Sequence, residues 1–300
     1  MKMNILRTSL LLTTLLTALP SQAFDLGKAL KGAVEKQVVT PSQEASPTTP
    51  QASEAASESK PPAFNLKKPS QEEEIQLGRE ITGNLLGAAP LMKDDTLQQY
   101  INQVGRWVAT QSERPDLPWH FGVIDSEDVN AFAAPGGYVI ITKGLYRKLS
   151  SEADLAGVLG HEIGHVIKKH HLKVIQKQQL LSLGANLLGD RVAKDNNTVQ
   201  KLIGSGAEIC ARSLDKDAEF EADRIGVVLA GRAGYDPYGL PAVLAEIGHT
   251  GKDDGSVALL FKTHPHPDER LARLGEATGN RLDKVTTGKV LEDRLYKLKN

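Results

Sequence analysis

The segment at residues 151–166, SEADLAGVLGHEIGHV, constrains the fold more than any other. Ser151 and Asp154 form a capping-box pattern, which marks the first turn of a helix. Apolar residues follow at helical spacing, namely Leu155, Val158, Leu159, Ile163 and Val166. Gly160 and Gly164 are poor residues for a helix interior, so they indicate that another backbone or a ligand approaches this surface closely. We therefore expect a single helix with tight packing along one side.

The pentapeptide HEIGH lies in the middle of this predicted helix. Because helical residues four apart lie one above the other, His161 and His165 can bind one metal ion. Glu162 turns toward the same pocket, where its carboxylate can accept a proton from water on the metal. So short a motif can arise by chance on a polar helix face, but its place within a capped helix favours the metal site. The pattern predicts two zinc ligands and a catalytic base, which is the chemistry of a zinc peptidase.

A catalytic zinc site also needs a third protein ligand. His171 comes ten residues after His161, a spacing known in some zinc peptidases, but Lys168 stands where that geometry requires a glycine. We therefore interpret the KKHH run as a basic helix end that interacts with the helix dipole. The other candidate is Glu219, with Asp223 on the same predicted helix face placed to accept the outer N–H of a ligating histidine. Spacing alone leaves open a solvated acidic face for these two carboxylates.

Two runs rich in β-branched and aromatic residues predict strands, WHFGVI at residues 119–124 and YVIIT at residues 138–142. The segment NAFAAPGG between them suits a tight entry into the second strand. If that strand is an edge of its sheet, Gly137, Tyr138 and Val139 can pair with an extended peptide and hold the scissile bond over the metal. The alternative is an ordinary hairpin strand, and the sequence leaves the two open.

The N-terminal part of the chain differs in composition from the rest. Residues 1–23 carry two basic residues, a short apolar run and a terminal Ser-Gln-Ala, the pattern of a cleaved signal peptide. Residues 24–64 begin with a short amphipathic stretch and continue as a linker rich in Pro, Ser and Ala, which is expected to be disordered. We expect the metallopeptidase domain to span residues 65–300.

Charge and cysteine content limit the expected partners. The chain has 36 Lys and Arg against 37 Asp and Glu, and removal of Lys2 and Arg7 with the signal peptide leaves 34 against 37, a net charge of −3. Nucleic acid is therefore not an expected partner. Cys210 is the only cysteine, so it cannot form an internal disulfide and is expected to be a small buried side chain. The mature sequence also has no apolar run long enough to predict a transmembrane segment.

The longest motifs together resemble one protein family. NAFAAPGGYVIITKGLYRKLSSEADLAGVLGHEIGHV, EFEADRIG and THPHPDERLARL are similar to segments of the HtpX-like, BepA-like and CAAX-prenyl-protease-like zinc endopeptidases, metallopeptidase family 48, over residues 70–274. The resemblance implies an α+β, mostly helical gluzincin-type domain with a small β-sheet. It also implies that His161, His165 and Glu219 bind one zinc ion and that Glu162 is the general base.

The same resemblance implies a place of action and a class of substrate. Soluble secreted members of this family are periplasmic enzymes that cut misfolded or stalled envelope proteins. Unfolded or misassembled envelope proteins are therefore the expected substrates, and a contact with the outer-membrane assembly machinery is a further expectation. Two other functions stay open: a secreted chaperone-like binding protein with low turnover, and a zinc hydrolase that acts on cell-wall peptides.

The THPHPDER segment carries two further candidates for catalysis. Its prolines stiffen the backbone and keep the preceding residues extended, so the histidines are held in place. His264 could donate to the oxyanion of the tetrahedral intermediate, or it could occupy the open metal position in a resting state. Arg270 could also serve the oxyanion, or it could anchor the loop. The alternative is a Pro-rich turn that caps a helix beginning near Asp268, and His266 fits that interpretation better than His264.

Overall fold

The computed structural model describes residues 68–187, 214–250 and 254–298. The predicted signal peptide, the predicted linker and Cys210 lie outside these residues. Within the described ranges, every helix is too short or too polar to cross a bilayer.

Most of the described chain is helical, with one small sheet. The helices are α1 (Gln71–Ala88), α2 (Asp95–Ala109), α3 (Lys143–Tyr146), α4 (Glu152–Ile167), α5 (His170–Leu187), α6 (Lys216–Arg232), α7 (Gly239–Gly248), α8 (Ala258–Thr263) and α9 (Pro267–Thr278). The strands are β1 (His120–Ile124), β2 (Ala131–Ala134) and β3 (Tyr138–Thr142). Short 3-10 turns cover Gly255–Val257, Leu282–Lys284 and Glu292–Arg294. The α+β class expected from the sequence is confirmed.

Both capping boxes expected from the sequence begin helices. At the start of α1, the Ser70 hydroxyl accepts the Glu73 N–H, and the Glu73 carboxylate accepts the Ser70 N–H at 2.7 Å. At the start of α4, Ser151 and Asp154 make the same reciprocal pair. These contacts satisfy N–H groups that have no partner within the helix, so they fix where α1 and α4 begin.

The sheet has the strand order β1-β3-β2, with β1 parallel to β3 and β2 antiparallel to β3. β3 is therefore the middle strand, and the expectation of an edge strand at Gly137, Tyr138 and Val139 is wrong. The edge strand that follows β1 in the chain is β2, whose sequence AFAA lies in the segment expected to lead into the second strand. Local sequence does not report strand order: β2 and β3 pair across the Pro-Gly-Gly turn, while β1 pairs with the far side of β3.

The Pro-Gly-Gly turn between β2 and β3 requires glycine. Gly136 and Gly137 have φ values of +78° and +104°, in the left-handed region that side chains disfavour. A Cβ atom on Gly136 would also lie 2.4 Å from the Ile75 Cα atom, so α1 packs directly on the turn. The turn thus holds β2 in a fixed position relative to β3.

Helix α4 is the centre of the core. All sixteen of its residues are buried, including the polar ones. At its start, Glu152 accepts hydrogen bonds from the hydroxyls of Tyr100 and Tyr235 and forms an ion pair with Arg294. A carboxylate without these partners would be costly to bury, so the contacts allow α4 to begin inside the protein.

The C-terminal segment at residues 290–298 packs against the start of α4. It contains a 3-10 turn at Glu292–Arg294, and Leu291 has a left-handed φ of +59°. The carbonyl oxygens of Leu291 and Val290 accept the N–H groups of Glu152 and Ala153. Leu291 O also accepts the Arg294 N–H, which closes the 3-10 turn. The segment therefore caps the first turn of α4 while forming only a single turn of its own.

Candidate metal centre

The approach of α6 to α4 builds the site. A Cβ atom on Gly160 would lie 2.8 Å from Gly226 O, and one on Gly226 would lie 2.7 Å from His161 N. One on Gly164 would lie 3.2 Å from Ala222 Cα. The close backbone approach predicted from the glycines of α4 is confirmed, and the approaching backbone is α6. This contact brings the EFEAD segment of α6 alongside the HEIGH segment.

Three side chains from these two helices converge on one point. The Nε2 atoms of His161 and His165 are 3.0 Å apart. Glu219 is fully buried, with its Oε1 atom 3.5 Å from His165 Nε2 and its Oε2 atom 3.8 Å from His161 Nε2. Glu219 Oε1 has no hydrogen-bond partner in the described part of the chain. Two imidazole nitrogens and a carboxylate oxygen that lacks a partner fit a divalent transition metal.

A fourth side chain, His264, reaches the same point from the end of α8. Its Nδ1 atom is 2.6 Å from Glu219 Oε2. Ligand atoms of His161, His165, Glu219 and His264 all lie within 4.8 Å of one another. His264 has an extended backbone before Pro265, which keeps the ring directed inward. His264 therefore belongs to the metal cluster.

His266 differs from His264, although it lies only two residues away. Its side chain accepts the Asp268 N–H at the start of α9, and Pro267 occupies the first helical position. His266 therefore caps the start of α9, as the alternative interpretation of the sequence expected.

Electrostatics within the cluster follow from burial and from neighbouring charges. Burial on its own would raise the pKa of Glu219, but the imidazoles of His264 and His165 outweigh this and hold that pKa well below its usual range. Burial depresses the pKa of His165 well below its usual value. Its imidazole therefore has a lone pair available for a metal.

The outer nitrogen of His161 is held by an ion pair. His161 Nδ1 is 2.9 Å from Asp223 Oδ1. The Arg270 guanidinium binds the same carboxylate through two bonds, Nε to Oδ2 at 3.0 Å and Nη2 to Oδ1 at 2.5 Å. Burial alone would raise the pKa of Asp223, but Arg270 and His161 hold it well below its usual range. Asp223 thus lies beside the outer nitrogen of a cluster histidine, as the sequence predicted. Arg270 binds Asp223.

The outer nitrogen of His165 is held in another way. Its Nδ1 atom is 3.0 Å from His170 Nδ1, and His170 Nε2 is 3.1 Å from Glu221 Oε2. α4 ends at Ile167, Lys169 has a left-handed φ of +57°, and α5 begins at His170. The KKHH run does lie at the end of α4, as interpreted from the sequence, but the Lys169 turn directs its two histidines into the protein, where they are buried.

Our sequence reasoning missed His170, and the signal for it was weak. The KKHH run shows two histidines after the predicted helix, but nothing local reveals that Lys169, just before them, is left-handed. His171 is also buried, with its ring centroid 5.6 Å from that of His165, and burial lowers its pKa to about 4. His171 is not among the four residues whose ligand atoms cluster within the described chain.

Glu162 faces the space between the cluster and β2. It is buried, and this burial raises its pKa above the usual range for a carboxyl group. A small cavity beside it is lined by Ala131, Phe132, Ala133, Glu162, His171, Leu214, Glu219, Thr263 and His264. Three of these residues belong to β2, and none belongs to β3. The strand that borders the cluster is therefore the edge strand β2.

Comparison with known proteins agrees with this arrangement. Residues 95–278 match the model of Peptidase family M48, and the chain belongs to that family. The resemblance inferred from the sequence motifs is therefore confirmed.

Several curated proteins are similar to this chain. The Beta-barrel assembly-enhancing protease of Escherichia coli (strain K12) is 33% identical over 209 residues, which cover 67% of this chain and 42% of that protein. The protein of the same name from Yersinia pestis is 32% identical over 212 residues, which cover 68% of this chain and 43% of that protein. The Mitochondrial metalloendopeptidase OMA1 of Arabidopsis thaliana is 29% identical over 188 residues, covering 62% and 37%. The chain thus spans about two fifths of the length of these relatives.

Proposed function

We propose that this chain is a zinc-dependent metalloendopeptidase, with one Zn²⁺ ion held by His161, His165 and Glu219. One observation carries the proposal: Glu162 is buried beside this ligand set and lines the same cavity as Glu219. A zinc site with only a structural role needs no adjacent base. The names of the relatives, which include a protease and a metalloendopeptidase, support the same reaction class.

Glu162 is the general base of the proposed reaction. When bound, Zn²⁺ supplies a Lewis acid that polarises a carbonyl group and makes water more acidic. Glu162 accepts the proton of the attacking water and delivers it to the leaving amine. Burial raises the pKa of Glu162, which makes its carboxylate a stronger base than an exposed one.

The peptide is proposed to pair with β2 in place of the β3 residues expected from sequence. Thr142 N–H donates to Asn130 O across the β2–β3 pair. Because antiparallel residues alternate in the direction of their hydrogen bonds, the N–H and C=O of Ala133 face away from β3. They face the side on which an extended substrate can add as a further strand. All four β2 residues are buried in this structure, so the groups that cover this edge must move before a peptide pairs with it. Ala131 and Ala133 line the same cavity as Glu162, so a strand added there would pass the base.

His264 is proposed to hold the enzyme in a resting state. An imidazole bonded to Glu219 Oε2 occupies the space that a substrate carbonyl needs, and His264 lines the cavity next to β2. The peptide can bind only after His264 moves. If this is its role, His264→Ala should raise the rate of peptide hydrolysis. A fall in that rate would favour the other role, donation to the oxyanion.

Misfolded or misassembled envelope proteins are the proposed substrates, and the periplasm is the proposed compartment. Support comes from the signal-peptide pattern of residues 1–23 and from relatives whose printed name is beta-barrel assembly-enhancing protease. A contact with the outer-membrane assembly machinery belongs to the same proposal. Mass spectrometry of envelope proteins trapped on a Glu162→Gln variant would identify the substrates. Recovery of cell-wall peptides in their place would contradict the proposal.

A low-turnover binding protein is the second candidate, because His264 gives the cluster a fourth side chain with a ligand atom. Hydrolysis of unfolded casein, with and without a chelator, separates the two functions. A protease loses its activity with the chelator and regains it with Zn²⁺. A binding protein retains casein uncleaved in both conditions.

Three substitutions test the roles within the centre. Glu162→Gln should keep zinc near one ion per chain and abolish hydrolysis, since Glu162 is assigned to proton transfer. Glu219→Ala should lose both zinc and activity, as should His161→Ala. The matched control is His171→Ala, which removes a buried imidazole next to the ligands and should change zinc affinity little. Normal affinity in Glu219→Ala together with loss in His171→Ala would overturn the ligand assignment.

A further inference from the structure

We propose that His170 is a positioning residue for the metal centre: it fixes the proton of His165 on Nδ1 and so directs the Nε2 lone pair of His165 to the metal. This inference rests on the proposed zinc centre and adds a residue to it. The geometry is a chain of two hydrogen bonds, His165 Nδ1 to His170 Nδ1 at 3.0 Å and His170 Nε2 to Glu221 Oε2 at 3.1 Å.

The protons in this chain can be placed in only one consistent way. A neutral imidazole has one N–H and one lone pair, so a His165 that gives its Nε2 lone pair to a metal has its proton on Nδ1. That proton points at His170 Nδ1, which must accept it and therefore has no proton of its own. His170 then has its proton on Nε2 and donates it to the Glu221 carboxylate. Every donor in the chain meets an acceptor.

The location of His170 depends on an anchored turn. Lys169, the residue before it, has a left-handed φ of +57°. The Lys169 ammonium binds the buried carboxylate of Glu74, which also accepts Arg114 Nη1 at 2.8 Å. Glu74 therefore ties α1 and the loop after α2 to the turn between α4 and α5. This anchoring sets the direction from which His170 meets His165.

Helix α6 supplies three carboxylates of the centre from one short segment. Glu219 faces the metal, Asp223 holds His161, and Glu221 holds His170. The outer hydrogen bonds of metal-binding histidines fix the tautomer and the ring orientation, and their loss costs about 10–100-fold in metal affinity. The sequence predicted Asp223 as the residue that holds the outer nitrogen of a ligating histidine. His170 and Glu221 provide the equivalent support for His165.

The test is a zinc competition titration on the full chain, with the wild type beside His170→Leu, His170→Asn and His171→Leu. His170→Leu removes the acceptor and should weaken zinc binding by about 10–100-fold. His170→Asn places an amide oxygen near the Nδ1 position, so it should retain affinity within about 5-fold of the wild type. His171→Leu removes the neighbouring buried imidazole, which meets His165 only in a ring contact. It should change affinity by less than about 3-fold.

Each outcome decides the proposal. Wild-type affinity in His170→Leu, or equal losses in the Leu and Asn variants, would overturn it. If His170→Leu does not fold, as judged by circular dichroism of the metal-free chain, His170→Gln replaces it, because its oxygen lies nearer the Nε2 position. Tighter zinc binding in the Asn variant than in the Gln variant supports the proposal, and the reverse order refutes it. Failure of the wild type itself to bind zinc would instead contradict the proposed function.

Discussion

His161 and His165 lie one turn apart on the same helix, yet their outer nitrogens are supported in different ways. On the His161 side, the acceptor is Asp223, a buried carboxylate paired with the buried guanidinium of Arg270. On the His165 side, the acceptor is the imidazole of His170. The hydrogen bonds continue from His170 to Glu221, whose charged side chain is 41% exposed. One side is a buried ion pair, and the other is a chain of hydrogen bonds that ends near the solvent.

This difference separates metal binding from folding. Asp223 lies on α6 and Arg270 on α9, so their ion pair joins two helices within the core. Removal of one partner of a buried pair leaves an uncompensated charge, which costs about 3–5 kcal/mol. An exposed carboxylate contributes about 0–1 kcal/mol, because water and salt screen it. We therefore expect variants on the His161 side to lose stability and zinc together, and variants on the His165 side to lose mainly zinc.

The largest expected effect is that of Asp223→Ala. It leaves the Arg270 guanidinium buried without its carboxylate and leaves His161 Nδ1 without its acceptor. The free energy of unfolding of the metal-free chain should fall by about 3–5 kcal/mol. Zinc affinity should also fall by at least the roughly 10–100-fold typical of a lost outer partner. Urea unfolding and chelator competition measure the two effects separately.

The matched control for this variant is Asp223→Asn, which keeps an oxygen for Arg270 and His161 but removes the charge. It should lose about 10–100-fold in zinc affinity, with a smaller loss of stability than Asp223→Ala. Equal stability of Asp223→Ala and the wild type would show that the ion pair does not support the fold. The comparison between the two sides would then be lost.

The same contrast extends to the backbone of α4. A Cβ atom on Gly160, beside His161, would lie 2.8 Å from Gly226 O. Because Gly226 O is a backbone atom, α6 would have to shift to relieve this contact. On Gly164, beside His165, the nearest atom would be Ala222 Cα at 3.2 Å. Gly160→Ala should therefore destabilise the chain by about 1–3 kcal/mol through overpacking. In Gly164→Ala, the gain of about 0.5–1 kcal/mol from helix propensity should offset most of the strain.

Denaturant unfolding of the two glycine variants, without metal, checks this expectation. The variants are matched because each adds one methyl group to the same helix. A larger loss in Gly164→Ala than in Gly160→Ala would mean that the helices pack more tightly at the His165 end.

The sequence predicted the part of the centre that depends on helical periodicity. HEIGH and EFEAD each lie on one helix, so four-residue spacing was enough to place His161 with His165 and Glu219 on the same face as Asp223. The glycines of α4 predicted the close backbone approach for the same reason. These features are local, and local patterns report them well. That Glu219 is a ligand followed only from the family resemblance.

The features that depend on contacts across the chain could not be predicted in this way. The strand order β1-β3-β2 places Tyr138 in the middle of the sheet, because β1 pairs with β3 from outside the hairpin. The location of His170 depends on a left-handed Lys169, which Glu74 stabilises from another helix. The C-terminal segment forms only a 3-10 turn, and its Val290 and Leu291 carbonyls accept N–H groups of the first turn of α4. In each case, a distant contact overrides the local preference.

The smallest expected effect is that of Glu221→Gln, and it tests the comparison most sharply. The glutamine oxygen can still accept the His170 Nε2 proton, and the lost charge belongs to a partly exposed side chain. We expect stability to stay within about 0.5 kcal/mol of the wild type and zinc affinity within about 2-fold. Asp223→Asn, the corresponding change on the other side, should cost about 10–100-fold in affinity. If Glu221→Gln instead weakened zinc as much as Asp223→Asn, the charge of Glu221 would be acting through the His170 ring, and the two sides would be electrostatically equivalent.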